Sequence, residues 1–233
     1  MVLIAGRLFP GRLFADDRSD QEIQPGGISR TDTLVLFDGK TLGKWKATPF
    51  KDHGSVTVQD GEIRLGMGYM TGITWSGPLL RMNYEICLEA MRVEGGDFFC
   101  GLTFPVGPDP CSLIVGGWGG ETVGLSSIDY FDASENATTI RRTFESNRWY
   151  RIRLRVTVTK IEAWIDEDKV VDLVTTGHTI GIRSEVKLSQ PLGIATYWTS
   201  AAIRRIIVYP KARETQPGET GKEGVPVRAP VER

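Results

Sequence analysis

The alternation of apolar and polar residues between residues 32 and 210 places the strongest constraint on what this chain can fold into. In the segment 149–158, Ile152, Leu154 and Val156 fall on one side of an extended chain, and the arginines between them fall on the other. A two-residue period is that of a β-strand with one buried face. No window of about a dozen residues carries the 3.6-residue period of an amphipathic helix. The pattern therefore predicts an all-β domain.

Short runs of the same kind follow one another along the chain, separated by Gly, Pro, Asn or Ser. Asp60-Gly61 joins two of them and is the strongest local hairpin signal. Roughly a dozen short strands in a domain of this size favour a two-sheet antiparallel jelly-roll sandwich. The longer predicted strands are NYEICLEAMRV, DFFCGLTF, CSLIVGG, TVGLSSI, ATTIRRTF, PLGIATYW and AAIRRIIVYP.

Length and charge limit the classes of partner. The 233 residues carry 28 Lys and Arg against 29 Asp and Glu, a net charge of -1. A nucleic-acid or membrane-surface protein needs a basic excess, so we expect neither partner. No apolar run approaches the roughly 20 residues that cross a bilayer, so no membrane insertion is predicted.

The two ends differ in composition from the alternating region. We predict a sandwich domain over 32–210, flanked by tails over 1–31 and 211–233. The first tail is either an incomplete signal peptide or a disordered segment. Its start is rich in small and apolar residues, but it lacks a basic region and contains Pro10. The second is rich in Pro, Gly and charge, which is typical of a solvated, disordered tail. If the segment is a signal peptide, we expect an extracytoplasmic protein, either periplasmic or secreted.

A hairpin is predicted over 149–173, with a tryptophan and an arginine side chain facing each other on its outer side. A tight turn at Thr159-Lys160 would pair Val156 with Ala163 and place Trp164 opposite Arg155. The indole then faces away from the core against a guanidinium.

The acids that follow Trp164 have two interpretations, a turn or a metal site. The register above puts Asp166 opposite Arg153, and Val171 turns inward only if the loop centres on 167–169. In such a loop we expect Asp168 to take a positive φ. A calcium site needs more oxygen ligands than three adjacent side chains can aim at one point. The turn is favoured, and no metal or cofactor is predicted.

Three passages carry a resemblance to a known family. The segments 34–45 (LVLFDGKTLGKW), 54–63 (GSVTVQDGEI) and 147–172 are similar in order and spacing to motifs of the 3-keto-disaccharide hydrolase family. The resemblance implies a concanavalin A-like, laminin-G-like jelly roll, often exported, that cleaves 3-keto-disaccharides or related glycosides. The last of the three passages is the least specific, because other concanavalin-like sandwiches share it.

One strand departs from the family pattern. Where the family tends to carry G-Y-E-x-Q-(I/L)-x-D, this chain has VGLSSID over 123–129. Asp129 matches the final acid, whereas Gly124 and Ser126 stand at the Glu and Gln positions. If those polar groups serve the reaction, this chain does not perform it.

The segment 116–139 is the most site-like stretch on its own residues. Gly117 and Gly119 flank Trp118 and let backbone approach a ligand closely, and an exposed indole is a good platform for a sugar ring. With Tyr130, these residues are the predicted substrate-binding set.

The candidate catalytic carboxylates follow in the same segment: Asp129, Asp132 and Glu135. Glycoside cleavage usually uses two carboxylates about 5–9.5 Å apart. Asp129 and Asp132 converge only if the strand ends near Tyr130. The alternative is that these acids are turn and cap residues and that Trp118 packs in a loop.

The remaining reactive side chains are scattered. His53 and His178 are too isolated to predict a metal site or a triad. Cys87, Cys100 and Cys111 form no CxxC pair, and we expect free thiols, with a disulfide possible in an exported protein.

Three functions remain open at this point. They are a glycoside hydrolase-type domain acting on a small carbohydrate or glycoside, a non-catalytic, lectin-like carbohydrate-binding module, and a structural sandwich without a ligand. The fold alone does not choose among them, because it hosts all three.

Overall fold

The computed structural model describes residues 33–211, so the predicted tails over 1–31 and 211–233 lie outside the described residues, apart from Lys211. Within them are fifteen strands and a 3-10 helix over Ser184–Ser189. The strands are β1 (Leu34–Val35), β2 (Trp45–Ala47), β3 (Val56–Gln59), β4 (Glu62–Leu65), β5 (Met70–Trp75), β6 (Tyr84–Gly95), β7 (Cys100–Val106), β8 (Asp109–Gly117), β9 (Thr122–Ser126), β10 (Ile140–Arg141), β11 (Trp149–Val156), β12 (Lys160–Ile165), β13 (Asp168–Val174), β14 (Gly193–Tyr197) and β15 (Thr199–Pro210).

The strands form two antiparallel sheets packed face to face. Sheet A has the order β13-β12-β11-β6-β15-β4-β3, with β1 also paired to β15, and sheet B has the order β10-β9-β8-β7-β14-β5-β2. The chain crosses between the sheets repeatedly, and two of these crossings, from β6 to β7 and from β14 to β15, lie beside the site described below. The predicted all-β, two-sheet jelly-roll sandwich is confirmed.

The core lies between the two sheets and follows from the alternation. Ile152, Leu154 and Val156 of β11 are at most 1% exposed and share one buried cluster with Leu113 and Leu125 of sheet B. Burying one such side chain contributes about 1.5–3 kcal/mol. The polar residues between them face outward on each sheet.

The hairpin predicted at Asp60-Gly61 is confirmed. Gln59 pairs with Glu62, and Asp60 and Gly61 have φ of 53° and 79°. Positive φ at both central residues is the type I′ geometry that matches strand twist.

The register predicted for the next hairpin is wrong by two residues. Val156 pairs with Ile161 and Arg153 pairs with Trp164. The turn is closed earlier because the Thr157 N–H donates to the Lys160 carbonyl at 2.9 Å. The Arg155 guanidinium lies 5.2 Å from the Trp164 ring centroid, so the predicted outward cation–π contact exists, and the Arg153 guanidinium makes a closer one at 3.8 Å.

The turn after β12 also differs from the prediction. Asp166 and Glu167 form it, and the residue with positive φ is Asp166 (56°), not Asp168. The three-residue loop was predicted because it would make the Val171 side chain face the core. The structure reaches the same result with a two-residue turn and a register shift beyond Trp164.

The acids of this turn form ion pairs with arginines. The Asp166 carboxylate accepts from Arg148 at 2.9 Å and from the Arg151 N–H at 3.0 Å, so it does not face Arg153. Asp168 pairs with Arg142 at 3.1 Å. The stretch forms a turn between two strands, as the turn interpretation predicted.

The three cysteines are free thiols, as predicted. Cys100 and Cys111 are fully buried, and burial raises the pKa of each to about 12. Among the described residues, none of the helical structure has the length and hydropathy of a membrane span.

Candidate functional site

A cavity of about 360 Å³ lies on the outer face of sheet B. Ser112 and Ile114 of β8 line it, and they alternate with the core residues Leu113 and Val115. Because neighbouring strand residues point to opposite faces, the cavity is on the side of sheet B that faces away from sheet A. Its volume is within the range of pockets that hold small ligands.

Trp118 lies at one side of this cavity on a glycine-rich loop. Its indole is 38% exposed, and its φ is 47°. The buried Arg92 side chain supports the loop from below, because its guanidinium donates to the Gly120 carbonyl at 2.9 Å. A Cβ on Gly116 would lie 2.7 Å from that guanidinium, and Gly116 has φ of 76°. Glycine is therefore required at this position for two separate reasons.

Gly117 and Gly119, the predicted binding glycines, differ in their surroundings. A Cβ on Gly117 would lie 2.8 Å from the Ile114 side chain, whereas a Cβ on Gly119 would meet nothing within 4 Å. The Gly119 N–H donates to the Asp97 carboxylate at 3.2 Å. Gly117 thus permits packing beneath the loop, and Gly119 permits its left-handed turn.

An aromatic wall forms another part of the cavity lining. Tyr69, Phe98 and Tyr197 line it together with Trp118. The Phe98 and Tyr197 rings are stacked with centroids 5.9 Å apart, and Tyr69 meets Tyr197 edge-on at 5.1 Å. The neighbouring Tyr197 hydroxyl raises the pKa of Tyr69, so its phenol stays protonated and can donate a hydrogen bond.

The floor of the cavity is polar. The Ser112 hydroxyl bonds to Thr103 at 2.9 Å. The Ser126 hydroxyl, also buried, has no hydrogen-bond partner among the residues that the structure describes. A buried hydroxyl without a partner costs free energy, and a ligand hydroxyl is one group that can satisfy it.

The loop 131–139 covers β9 beside this floor. The Asn136 side chain holds it by donating to the Leu125 carbonyl at 2.7 Å. Gly124, at the position of the family's Glu, lies under the loop: a Cβ there would be 3.0 Å from the Ala133 carbonyl oxygen. A side chain at position 124 would crowd the loop backbone at Ala133 and Thr138, so a glutamate there requires the loop to move outward.

Charged groups form the remaining edge. The Arg183 guanidinium donates to the Glu185 carboxylate and to the Asp132 carboxylate, each at 2.6 Å. The hydrogen bond from Arg183 is the largest cause of a Glu185 pKa of about 2. Glu185 is therefore ionised at neutral pH and acts as an acceptor. Asp132, one of the predicted catalytic acids, contacts Arg183 but is not itself a lining residue.

Asp97 connects the aromatic wall to the glycine-rich loop. Its carboxylate accepts from its neighbour's N–H, that of Phe98, at 2.8 Å, and from Gly119. It lines the cavity as a second carboxylate.

The other predicted site residues lie outside the cavity lining. The Asp129 carboxylate accepts from the Thr179 N–H at 2.8 Å and contacts the His178 ring at 2.7 Å. Both contacts lower its pKa, the Thr179 hydrogen bond more than His178. Tyr130 is 87% exposed, and Glu135 is also exposed. Of the seven predicted residues, only Trp118 lines the cavity directly.

Sequence reasoning missed most of the cavity. Tyr69, Asp97, Arg183, Glu185 and Tyr197 come from four separate segments, and none forms a local motif. His178 is a loop histidine, as predicted, but its pairing with Asp129 across 49 residues was not foreseen. Within residues 33–211, no group of three or more His, Cys, Asp or Glu side chains is arranged to hold a metal ion.

The sequence of this sandwich matches a known protein family. The family model described as "3-keto-alpha-glucoside-1,2-lyase-like domain" matches residues 32–208. The chain therefore belongs to that family and is a carbohydrate-active domain with a jelly-roll β-sandwich fold. No curated protein sequence matches the chain.

Solved structures similar to this one share its fold at low sequence identity. A glycosyl hydrolase candidate from Parabacteroides distasonis is 14% identical, with a TM-score of 0.51, covering 77% of this chain and 94% of that chain. Domain 4 of the extracellular arabinanase AbnA from Geobacillus stearothermophilus, in complex with arabinotriose, is 13% identical, with a TM-score of 0.50 and coverages of 78% and 93%. The Crh5 transglycosylase in complex with NAG is also 13% identical, with a TM-score of 0.51 and coverages of 79% and 85%.

Proposed function

We propose that this domain binds a glycoside in the cavity on the outer face of sheet B. The observation that carries the proposal is the combination of a half-exposed Trp118, fixed by its glycine loop, with the polar floor and the Arg183 edge. A sugar ring has an apolar face that stacks on an indole and hydroxyls that pair with a guanidinium or a carboxylate. Membership of a family named for a glucoside lyase, and the fold shared with an arabinotriose-binding domain, support the same ligand class.

The carboxylates of the cavity favour binding over acid-catalysed hydrolysis. A glycosidase needs one carboxylic acid whose pKa is raised so that it protonates the leaving group. Glu185 has the opposite shift, and Asp97 is held by two backbone N–H groups. Both are built as hydrogen-bond acceptors for sugar hydroxyls.

Binding is tested by calorimetric titration with glucosides, arabinosides and N-acetylglucosamine oligomers, comparing the parent protein with Trp118→Asn. Asparagine accepts a positive φ, so the variant removes the indole without forcing the backbone. We expect affinity to fall by about 1–3 kcal/mol. The matched control is Trp164→Ala, which removes an indole from the opposite side of the sandwich. Equal affinity of Trp118→Asn and the parent for every sugar would refute the assignment.

The second candidate function is cleavage of a 3-keto glucoside by elimination, and the Arg183–Glu185 pair beside Asp97 favours it. In such a substrate the C2 proton is acidified by the adjacent C3 ketone. A carboxylate takes the C2 proton. The electrons of the C2–H bond form the C1=C2 bond, and the C1–O bond breaks with its electrons leaving on the oxygen. Arg183 would stabilise the enolate oxygen, and Tyr69 would protonate the leaving oxygen.

This reaction is tested with 3-keto α-glucosides by following the ultraviolet absorbance of the conjugated enone product. We expect Arg183→Gln to abolish turnover, and Asp97→Asn to reduce it by at least about 100-fold. Absence of enone with the parent protein, together with intact sugar binding, would leave binding as the function.

A further inference from the structure

Trp198 lies where the chain leaves sheet B for sheet A, between β14 and β15. Its indole is 53% exposed, and its φ is 43°. The backbone N–H of Trp198 donates to the carbonyls of Gly68 and Tyr69, at 3.2 and 3.3 Å. A positive φ is uncommon for a bulky residue and costs free energy that the surrounding structure must offset.

The Trp198 side chain continues the aromatic wall of the cavity. Its ring meets Tyr69 edge-on at 6.0 Å and Tyr197 edge-on at 6.4 Å, and both tyrosines line the cavity. A Cβ on Gly95 would lie 2.4 Å from the Trp198 carbonyl oxygen, so only glycine allows this backbone path. The indole is thus held beside the cavity without being buried in it.

Asp97 ties Trp198 to Trp118. Its carboxylate accepts from the Gly119 N–H, next to Trp118, at 3.2 Å, and its own N–H donates to the Thr199 hydroxyl, next to Trp198, at 3.0 Å. One residue therefore fixes both tryptophan-bearing segments. Both tryptophans have left-handed backbones and exposed indoles, whereas the outward Trp164 of β12 is covered by cationic side chains.

We propose that Trp198 forms a second saccharide subsite, so that the ligand is a linear oligosaccharide with one unit in the cavity and the next units across Trp198. This inference rests on the proposed function, because it extends the site that Trp118 defines. Two exposed, rigidly held aromatic platforms beside one cavity fit successive sugar units better than a single small glycoside.

The test is calorimetric titration of the full-length protein with gluco-, xylo- and arabino-oligosaccharides of one to six units. Trp198→Asn removes the indole but tolerates the positive φ, and Trp198→Tyr keeps an aromatic face. We expect affinity to rise with chain length in the parent. Trp198→Asn should lose about 10-fold for the longer oligosaccharides and nothing for the monosaccharide, while Trp198→Tyr should keep most of the gain.

The control variant is Trp164→Ala, and thermal unfolding verifies that every variant is folded. Affinity that is independent of chain length, or equal losses in Trp198→Asn for all lengths, would overturn the second subsite while leaving the proposed binding function in place. Failure of the parent to bind any saccharide would instead refute the proposed function itself, so the two failures are distinguishable.

Discussion

Two regions on opposite sides of the sandwich carry outward-facing tryptophans, and they differ in whether neighbouring side chains cover the indole. On sheet A, Trp164 is in strand β12, with the Arg153 guanidinium 3.8 Å and the Lys169 ammonium 5.1 Å from its ring centroid. On sheet B, Trp118 and Trp198 are in left-handed turns and remain open.

The difference teaches that coverage of the indole by neighbouring side chains, not its outward orientation, separates scaffold from candidate site here. On sheet A, Glu162 accepts from Lys169 at 2.6 Å and Glu85 accepts from Arg155 at 2.9 Å, so the cations over Trp164 are already paired. Cross-strand ladders of this kind stabilise a sheet. On sheet B the exposed indoles border a cavity, where a ligand can replace the water.

The largest expected effect is on the stability of the core that sheet A, which carries Trp164, forms with sheet B. Leu154→Ala should lower the free energy of unfolding by about 2–5 kcal/mol, because Leu154 is fully buried between the sheets. Urea unfolding followed by tryptophan fluorescence measures it. Sugar affinity per folded molecule should not change, and a large change would mean that the two regions are coupled.

The second effect concerns the Trp118 loop. Gly116→Ala should cost about 1–3 kcal/mol and weaken sugar binding, since its Cβ would meet the Arg92 guanidinium as well as adopting a positive φ. Gly119→Ala is the matched control, with the same φ strain (84°) but open space around its Cβ. Thermal unfolding and titration on both variants separate the clash from the strain. Equal losses would show that Arg92 does not support the loop.

The third effect is the pH dependence of the charged edge. The pKa of Glu185 is lowered from 4.5 to about 2 by Arg183, so its contribution to stability is complete above pH 4.5 and is lost as the pH falls toward 2. The pair is partly exposed, and solvent screening limits the contribution to about 1 kcal/mol or less.

Unfolding of the parent and Glu185→Gln between pH 2 and 7 measures this contribution. The two stabilities should converge as the pH falls through that window. A constant difference down to pH 2 would contradict the ion pair with Arg183.

The smallest effect is expected at the hairpin turn of sheet A. Asp168→Ala removes an exposed ion pair with Arg142 and should change stability by no more than about 0.5 kcal/mol. The positive φ is at Asp166, so a glycine at 168 brings no relief of strain. Thermal unfolding checks the value, with Asp166→Ala expected to cost more because it also loses the Arg151 N–H bond. The reverse order would reassign the role of the turn.

The alternating pattern determined the fold class, because a two-residue period leaves a strand only one way to bury Ile152, Leu154 and Val156. Asp60-Gly61 likewise determined its hairpin, since few residue pairs accept two positive φ angles. The register of the following hairpin was not determined. Val158 extends the apolar alternation, but the Thr157–Lys160 hydrogen bond places it in the turn, 46% exposed.

Trp118 and its glycines could be read from the sequence because their signal is local. The rest of the cavity could not, since its walls are assembled from Tyr69, Asp97, the 183–185 segment and Tyr197, which are far apart along the chain. Only strand pairing across sheet B and the change of sheet at Trp198 bring them together. Side-chain pattern fixes which face of a strand is buried, but hydrogen-bonded strand order decides which exposed residues become neighbours.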